Sequence, residues 1–357
     1  VDLGCDSLDL SNLIIFLDLK FGIDKKISSL DLVHVFDLFL VALHKKVPKA
    51  REMESKEMLR GWKEKEVEGV KKVEIFGNTI PHAFIERMKV VGSKEIMADE
   101  NVTLNGKKAL ISTIVLANKI RRLEGRYVGI MLPASIGSTL ILFATMLAGK
   151  VPVMINWTSG SRSTDHVIHT LSIKSVLTAR KFLDRVAHIE LGSMEPSLVF
   201  AEDLKLKVSF LDKIKALLLS TKPTRMILRY FGIDSLSNEM NAVVLTTSGT
   251  ESHPKSVPLS HKNLIANMED FEDVFYPYEP STCLSALPQF HSFGLTAMTL
   301  FPILNGVRTY FSPDPTDSPR IAREVEAWGV DLIALTPSFY ANLLSSAENG
   351  QLNSLSC

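Results

Sequence analysis

The sequence predicts a layered α/β fold preceded by a small helical unit. Three observations point there. From about residue 73 onward, short β-branched or apolar runs ending at Gly, Pro or Ser alternate with segments of helical periodicity, the pattern of helices packed on a largely parallel sheet. Ahead of that, residues 1–46 show helical spacing alone. The 357 residues are 46% hydrophobic and 22% charged, which is enough apolar material for a sizeable core and for two or three domains.

In chain order, LDLSNLIIFLDLKFGI carries apolar residues at helical intervals, with Gly22 where a helix would stop. SSLDLVHVFDLFLVALHKK is a second amphipathic helix with Ser28 or Ser29 as its cap. Residues 45–72 then hold ten Lys/Arg against six Glu, so residues 47–72 read as a charged linker. A solvated connector is the favoured reading, and contact with an anionic membrane surface is the other. Residues 73–357 form the α/β domain. ALISTIVLANKIRRL and ASIGSTLILFATMLAGK read as helices, and RYVGIMLP, VPVMIN, SIKSVLTA, AVVLTTSGT, CLSALP, RTYFS and VDLIALTP as strands. Residues 203–231 are amphipathic, with seven Lys/Arg against two Asp. They read either as a helical insertion packed on the sheet, which is favoured, or as a membrane-surface helix.

Several function classes recede on composition. Forty basic residues balance 40 acidic ones, so no basic field points to nucleic acid. Cys5, Cys283 and Cys357 lie far apart with no CxxC pair, which suits a reducing cytoplasm. The apolar run from Val128 to Trp157 is interrupted by Pro133, Gly137, Gly149, Lys150 and Pro152. It reads as a buried helix followed by a strand, not as a membrane span. The chain opens on VDLGCDSLDL without methionine and stops on QLNSLSC, and so reads as an internal fragment of a longer protein, one expected to lack full turnover by itself.

The most informative stretch is LTTSGTESHPKSVPLS, residues 245–260. A hydroxyl- and glycine-rich loop at the end of a strand can offer N–H groups to phosphate oxygens. Thr246, Thr247, Ser248 and Thr250 add side-chain donors, Gly249 permits close backbone approach, and Lys255 adds a compact positive charge. From Gly249 the string reads G-x-x-x-x-P-K-S, one letter from a Walker loop. Pro254 has no N–H and a fixed φ where that loop needs its second glycine, so a Walker site is excluded.

The same string resembles the phosphate loop of the adenylate-forming enzymes, a family with the pattern [ST]-S-G-T-T-G-x-P-K-G-V followed by S-H-x-N. It departs at Ser252 and Ser256, where that family has glycine. LSALPQFHSFGLT, residues 284–296, resembles the family's L-P-x-F-H-x-F-G-L segment. The resemblance extends over about residues 100–345. MINWTSGSRS and the two motifs together are most similar to the acyl-acyl-carrier-protein synthetase half of the bifunctional 2-acylglycerophosphoethanolamine acyltransferases. DLGCDSLDLSNLIIFLDLKFGI resembles the signature of acyl carrier proteins, lacking their first helix.

What the resemblance implies is an ATP-dependent activation of a fatty acid to an acyl-adenylate, followed by thioester formation on a phosphopantetheine thiol. The implied fold is an adenylate-forming N-terminal domain, incomplete at its C-terminus, preceded by a partial acyl-carrier domain. Thr247, Ser248, Gly249, Thr250 and Lys255 would hold ATP phosphates with Mg²⁺. His291 would be catalytic and, with Phe293, line the acyl pocket. Ser7 would carry 4′-phosphopantetheine. The implied partners are a fatty acid and an acyl carrier protein, in cis or in trans, with peripheral contact at the inner face of the plasma membrane from a cytoplasmic location. An acyl-CoA ligase, a nonribosomal-peptide-type adenylation module and a non-catalytic carrier or scaffold are the alternatives. No protein metal site is expected.

Overall fold

The computed structural model describes residues 61–64, 69, 72–187, 189–247, 254–271 and 281–355. The helical unit expected at 1–46, including Ser7, lies outside the described residues.

The α/β domain is built on two sheets where the sequence suggested one. Six strands form the first: β3 (Tyr127–Ile130), β4 (Val151–Met154), β5 (Val176–Thr178), β6 (Leu198–Phe200), β7 (Asn241–Thr246) and β8 (Ser256–Ser260). Their spatial order is β6-β5-β3-β4-β7-β8, parallel apart from the antiparallel edge strand β8. The second sheet holds β1 (Glu95–Ala98), β2 (Thr103–Asn105), β9 (Thr282–Ser285), β10 (Arg308–Phe311) and β11 (Leu332–Ile333). It runs β11-β9-β10-β1-β2 and is parallel apart from β2. A single-sheet reading failed because β1 and β2 are short and because β1 pairs with β10, some two hundred positions further on in the chain. Local periodicity carries no information about such long-range partners.

The interrupted apolar run folds as expected. Ser135 caps the helix Ile136–Leu147 by accepting from the Ser138 N–H. That helix is apolar on every side and buried on nearly every side, so it lies inside the domain. Phe143 stacks on Phe84 of the helix Ile80–Val91 at 4.1 Å between ring centroids. Strand β4 follows with all four residues buried. No helix among the described residues is long and apolar enough to cross a membrane.

The expected linker, 47–72, meets the domain earlier than its composition suggests. Trp62 is buried beside Trp328, edge to face at 5.0 Å. The Arg308 guanidinium lies 5.1 Å from the Trp62 ring and donates to the Glu64 carbonyl at 2.6 Å. The Lys63 N–H donates to Glu95 Oε2 at 2.8 Å. Counting charges over the whole segment hides one aromatic anchor that joins the second sheet's core.

Candidate functional site

Strand β7 ends at Thr246, and the next residue begins the loop. The Thr247 N–H donates to the Lys255 carbonyl at 3.0 Å, and the Lys255 N–H donates to Thr247 Oγ1 at 3.0 Å. These two bonds extend the β7–β8 ladder, in which Thr246 faces Ser256. They close the loop at its base. Ser248, Gly249 and Thr250 lie within it, outside the described residues, as does Ser252. Because its hydroxyl accepts there, Thr247 keeps its own O–H free to donate. The Lys255 side chain is exposed.

The stretch 245–260 is not loop throughout its second half. Ser256 and Val257 belong to β8. Ser256 therefore sits in extended backbone that any residue adopts, and no glycine is required there.

The loop base opens onto a small cleft. Its walls include Asn156, Ser163, Thr164, Thr246 and Pro254. It lies beyond the carboxyl ends of the neighbouring parallel strands β4 and β7, where open α/β sheets place their ligands. Asn156 is buried and accepts from the Thr158 N–H and hydroxyl at 3.0 and 2.7 Å. That fixes the turn leading into the helix Ser161–Thr170.

Trp157, next in the chain, joins the cleft wall to the second motif. Its ring meets Phe290 edge to face at 4.5 Å and Phe182 at 4.9 Å. Phe290 in turn lies against His291 at 4.6 Å. His291 precedes the short helix Ser292–Leu295, and its carbonyl accepts from the Leu295 N–H at 2.9 Å. Phe293 is 45% exposed. Gly294 is required by close approach, since a Cβ there would overlap the backbone carbonyls of Pro288 and Leu287. Gln289 anchors the motif from inside: Ser138 Oγ donates to its Oε1 at 2.5 Å, and its Nε2 donates to Thr139 Oγ1 at 2.9 Å. Both partners sit at the start of the buried helix Ile136–Leu147. A fully buried amide needs such partners.

S-H-K-N, residues 260–263, has a structural task. The Ser260 hydroxyl accepts from the Asn263 N–H at 3.1 Å, and Asn263 Oδ1 accepts from the Ser260 N–H at 3.0 Å. This is a capping box at the start of the helix His261–Glu269. His261 is buried, and its Nδ1 accepts from the Ile80 N–H at 3.2 Å. Burial lowers its pKa to about 4, so the ring is neutral near pH 7. Cys283 is fully enclosed, and burial pushes its thiol well above the usual range, which leaves it inert.

The sequence reading missed Trp157, Gln289 and His261 as positioning residues. A lone Trp beside Asn and a lone Gln in an apolar motif were the available signals.

With this geometry established, comparison with known proteins gives a consistent answer. Residues 114–357 match the AMP-binding enzyme family. The long-chain-fatty-acid–CoA ligase of Escherichia coli O6:H1 is 24% identical over 262 residues, 64% of this chain and 45% of that enzyme. The Bacillus subtilis enzyme of the same name is 24% identical over 252 residues, 63% of this chain and 44% of the relative. The chain thus spans less than half the length of these curated relatives. Among solved structures, O-succinylbenzoate coenzyme A synthetase from Bacillus subtilis in complex with AMP superposes with a TM-score of 0.60 at 15% identity, covering 76% of this chain and 65% of that one. Apo MatB from Rhodopseudomonas palustris gives 0.60 at 19% identity, covering 78% and 54%. The fold is therefore shared with these two proteins, and on the match over residues 114–357 the chain belongs to the AMP-binding enzyme family.

Proposed function

We propose that the protein activates a fatty acid with ATP, forming an acyl-adenylate and then a thioester. The observation that carries this reading is the loop base pinned by the Thr247–Lys255 pair at the carboxyl end of β7, beside a cleft walled by Asn156, Thr164 and Pro254. A carboxylate cannot expel oxide, and adenylation supplies AMP as the leaving group instead. The carboxylate oxygen bonds to the α-phosphorus, and the bond to pyrophosphate breaks. Such transfers depend on holding and neutralising the phosphates. The free Thr247 hydroxyl proton and the exposed Lys255 ammonium suit an anionic polyphosphate. Ser248, Gly249 and Thr250 would complete that cradle, and Mg²⁺ would share the phosphate charge. His291 and Phe293 would line the acyl site, His291 as a catalytic group beside the carbonyl.

The finer assignment is an acyl-acyl-carrier-protein synthetase, with Ser7 as a phosphopantetheine attachment site and a carrier protein supplying the thiol. It rests on the motif resemblance. The named relatives support a coenzyme A acceptor as the second reading. ATP–pyrophosphate exchange in the full-length protein, with fatty acids against amino acids, tests the first step. Fatty-acid-dependent exchange that falls at least a hundredfold in Lys255→Ala is expected, and no exchange with any carboxylate would sink the proposal. Product analysis with coenzyme A and with a carrier protein separates the two thiols. Mass spectrometry after treatment with a phosphopantetheinyl transferase tests Ser7.

A further inference from the structure

The segment 203–231 was expected to pack as an insertion on the sheet, but most of its apolar surface faces outward. The helix Phe210–Ser220 is preformed, with a capping box between Ser209 and Asp212. It is tied to the helix Gly106–Ile120 by an ion pair of 2.8 Å between Lys119 and Asp212. Of its own residues only Ala216 is buried. Phe210 is 75% exposed, Leu211 64% and Leu218 60%, and Ile214 and Leu217 are exposed with them. Positions 210, 211, 214, 217 and 218 repeat at the helical interval, so at about 100° per residue they form one stripe opposite Ala216. Of the helix's six large apolar residues, the half-buried Leu219 packs against the core beside Ala216, and the other five face outward.

Charge identifies what the stripe meets. At the same spacing Lys213 and Lys215 project on either side of Ile214, and both are exposed. The segment's two acidic residues are occupied by cations of the domain: Asp212 by Lys119, and Asp203 by Arg180 at 2.8 Å. The outward field is therefore cationic, with Lys205, Lys207, Lys222 and Arg225 nearby and exposed. An apolar stripe flanked by lysines matches a bilayer surface, where aliphatic and aromatic side chains enter the acyl boundary and ammonium groups reach anionic headgroups. Exposed patches of this kind mark interaction sites.

We propose that the helix Phe210–Ser220 is a membrane-interface element that docks the protein onto an anionic lipid surface through Phe210, Leu211, Ile214, Leu217 and Leu218. Neither the substrate nor the chemistry of the cleft enters the argument, so the proposal stands apart from the ligase reading.

Flotation of the full-length protein with vesicles tests it, without ATP or fatty acid. Vesicles of phosphatidylglycerol and phosphatidylethanolamine should carry the protein up, and vesicles of phosphatidylcholine alone at least tenfold less. Leu211→Glu with Leu218→Glu should reduce binding to anionic vesicles at least tenfold at unchanged thermal stability. Lys213→Glu with Lys215→Glu should do the same, and also remove the dependence on phosphatidylglycerol. Failure to float with anionic vesicles, or flotation unaffected by the leucine changes, overturns the proposal. So does a change in oligomeric mass of the leucine variant together with no vesicle binding, because the stripe would then be covered by protein.

Discussion

His261 Nδ1 accepts the backbone N–H of Ile80 at 3.2 Å, across 181 positions of sequence. The bond satisfies the first N–H of the helix Ile80–Val91, whose N-cap Thr79 makes no side-chain capping bond. It also fixes the start of the helix His261–Glu269, which follows β8. Burial lowers the His261 pKa to about 4, whereas in an unfolded chain it is about 6.5. The unfolded state therefore takes up the proton first as pH falls. Stability is fully present above about pH 6.5 and declines between there and about pH 4, by roughly 3 kcal/mol for this group. Urea unfolding at several pH values in that window should show the slope. His261→Ala should flatten it and lower stability at pH 7 by about 2–3 kcal/mol. Equal slopes in the two proteins would refute the assignment.

Gln289 makes a second latch, from the histidine motif to the buried helix. Replacing it by leucine keeps the volume and leaves Ser138, Thr139 and Thr299 without its amide. A loss of about 2–3 kcal/mol is expected, the cost of stranding buried polar groups. The measurement is equilibrium denaturation of Gln289→Leu beside Gln289→Glu. A change under about 0.5 kcal/mol in both would mean that the network is not tight.

Two glycines separate steric need from backbone strain. Gly294 has an ordinary φ, but an added Cβ would meet the carbonyls of Pro288 and Leu287. Gly329 caps its helix at φ 57°, and nothing lies within 4 Å of an added Cβ. Gly329→Ala should therefore cost about 1 kcal/mol from the left-handed conformation alone. Gly294→Ala forces backbone apart in a packed region and should cost about 3 kcal/mol or more. Thermal unfolding of both variants checks the ranking, and similar losses would contradict it.

These latches mark the limit of what the sequence could tell. The runs RYVGIMLP, VPVMIN and AVVLTTSGT announced β3, β4 and β7, because each is β-branched and ends at a turn residue. The phosphate-loop and histidine motifs were legible as strings. What joins them was not: Trp157 reaches Phe290, and Gln289 reaches Ser138 across 151 positions. Contacts at such separation leave no periodic trace. The segment holding the helix Phe210–Ser220 stayed open between two readings for a related reason, since an amphipathic pattern does not say whether its apolar side faces the core.

Ser256 offers a final test, because it stands where the adenylate-forming pattern that this stretch resembles has glycine. In this chain it pairs with Thr246 in the β7–β8 ladder. Its Oγ is buried and has no hydrogen-bond partner among the described residues. Removing that hydroxyl removes a desolvated polar group, so Ser256→Ala should raise stability by about 1 kcal/mol. Ser256→Gly removes the hydroxyl too but adds chain entropy to the unfolded state in a strand position, and should fall below the alanine variant by about 0.5–1 kcal/mol. Equilibrium denaturation of the three proteins gives the order directly. An alanine variant less stable than the parent would show that the hydroxyl is satisfied in solution, and a glycine variant above alanine would show that the backbone here is strained.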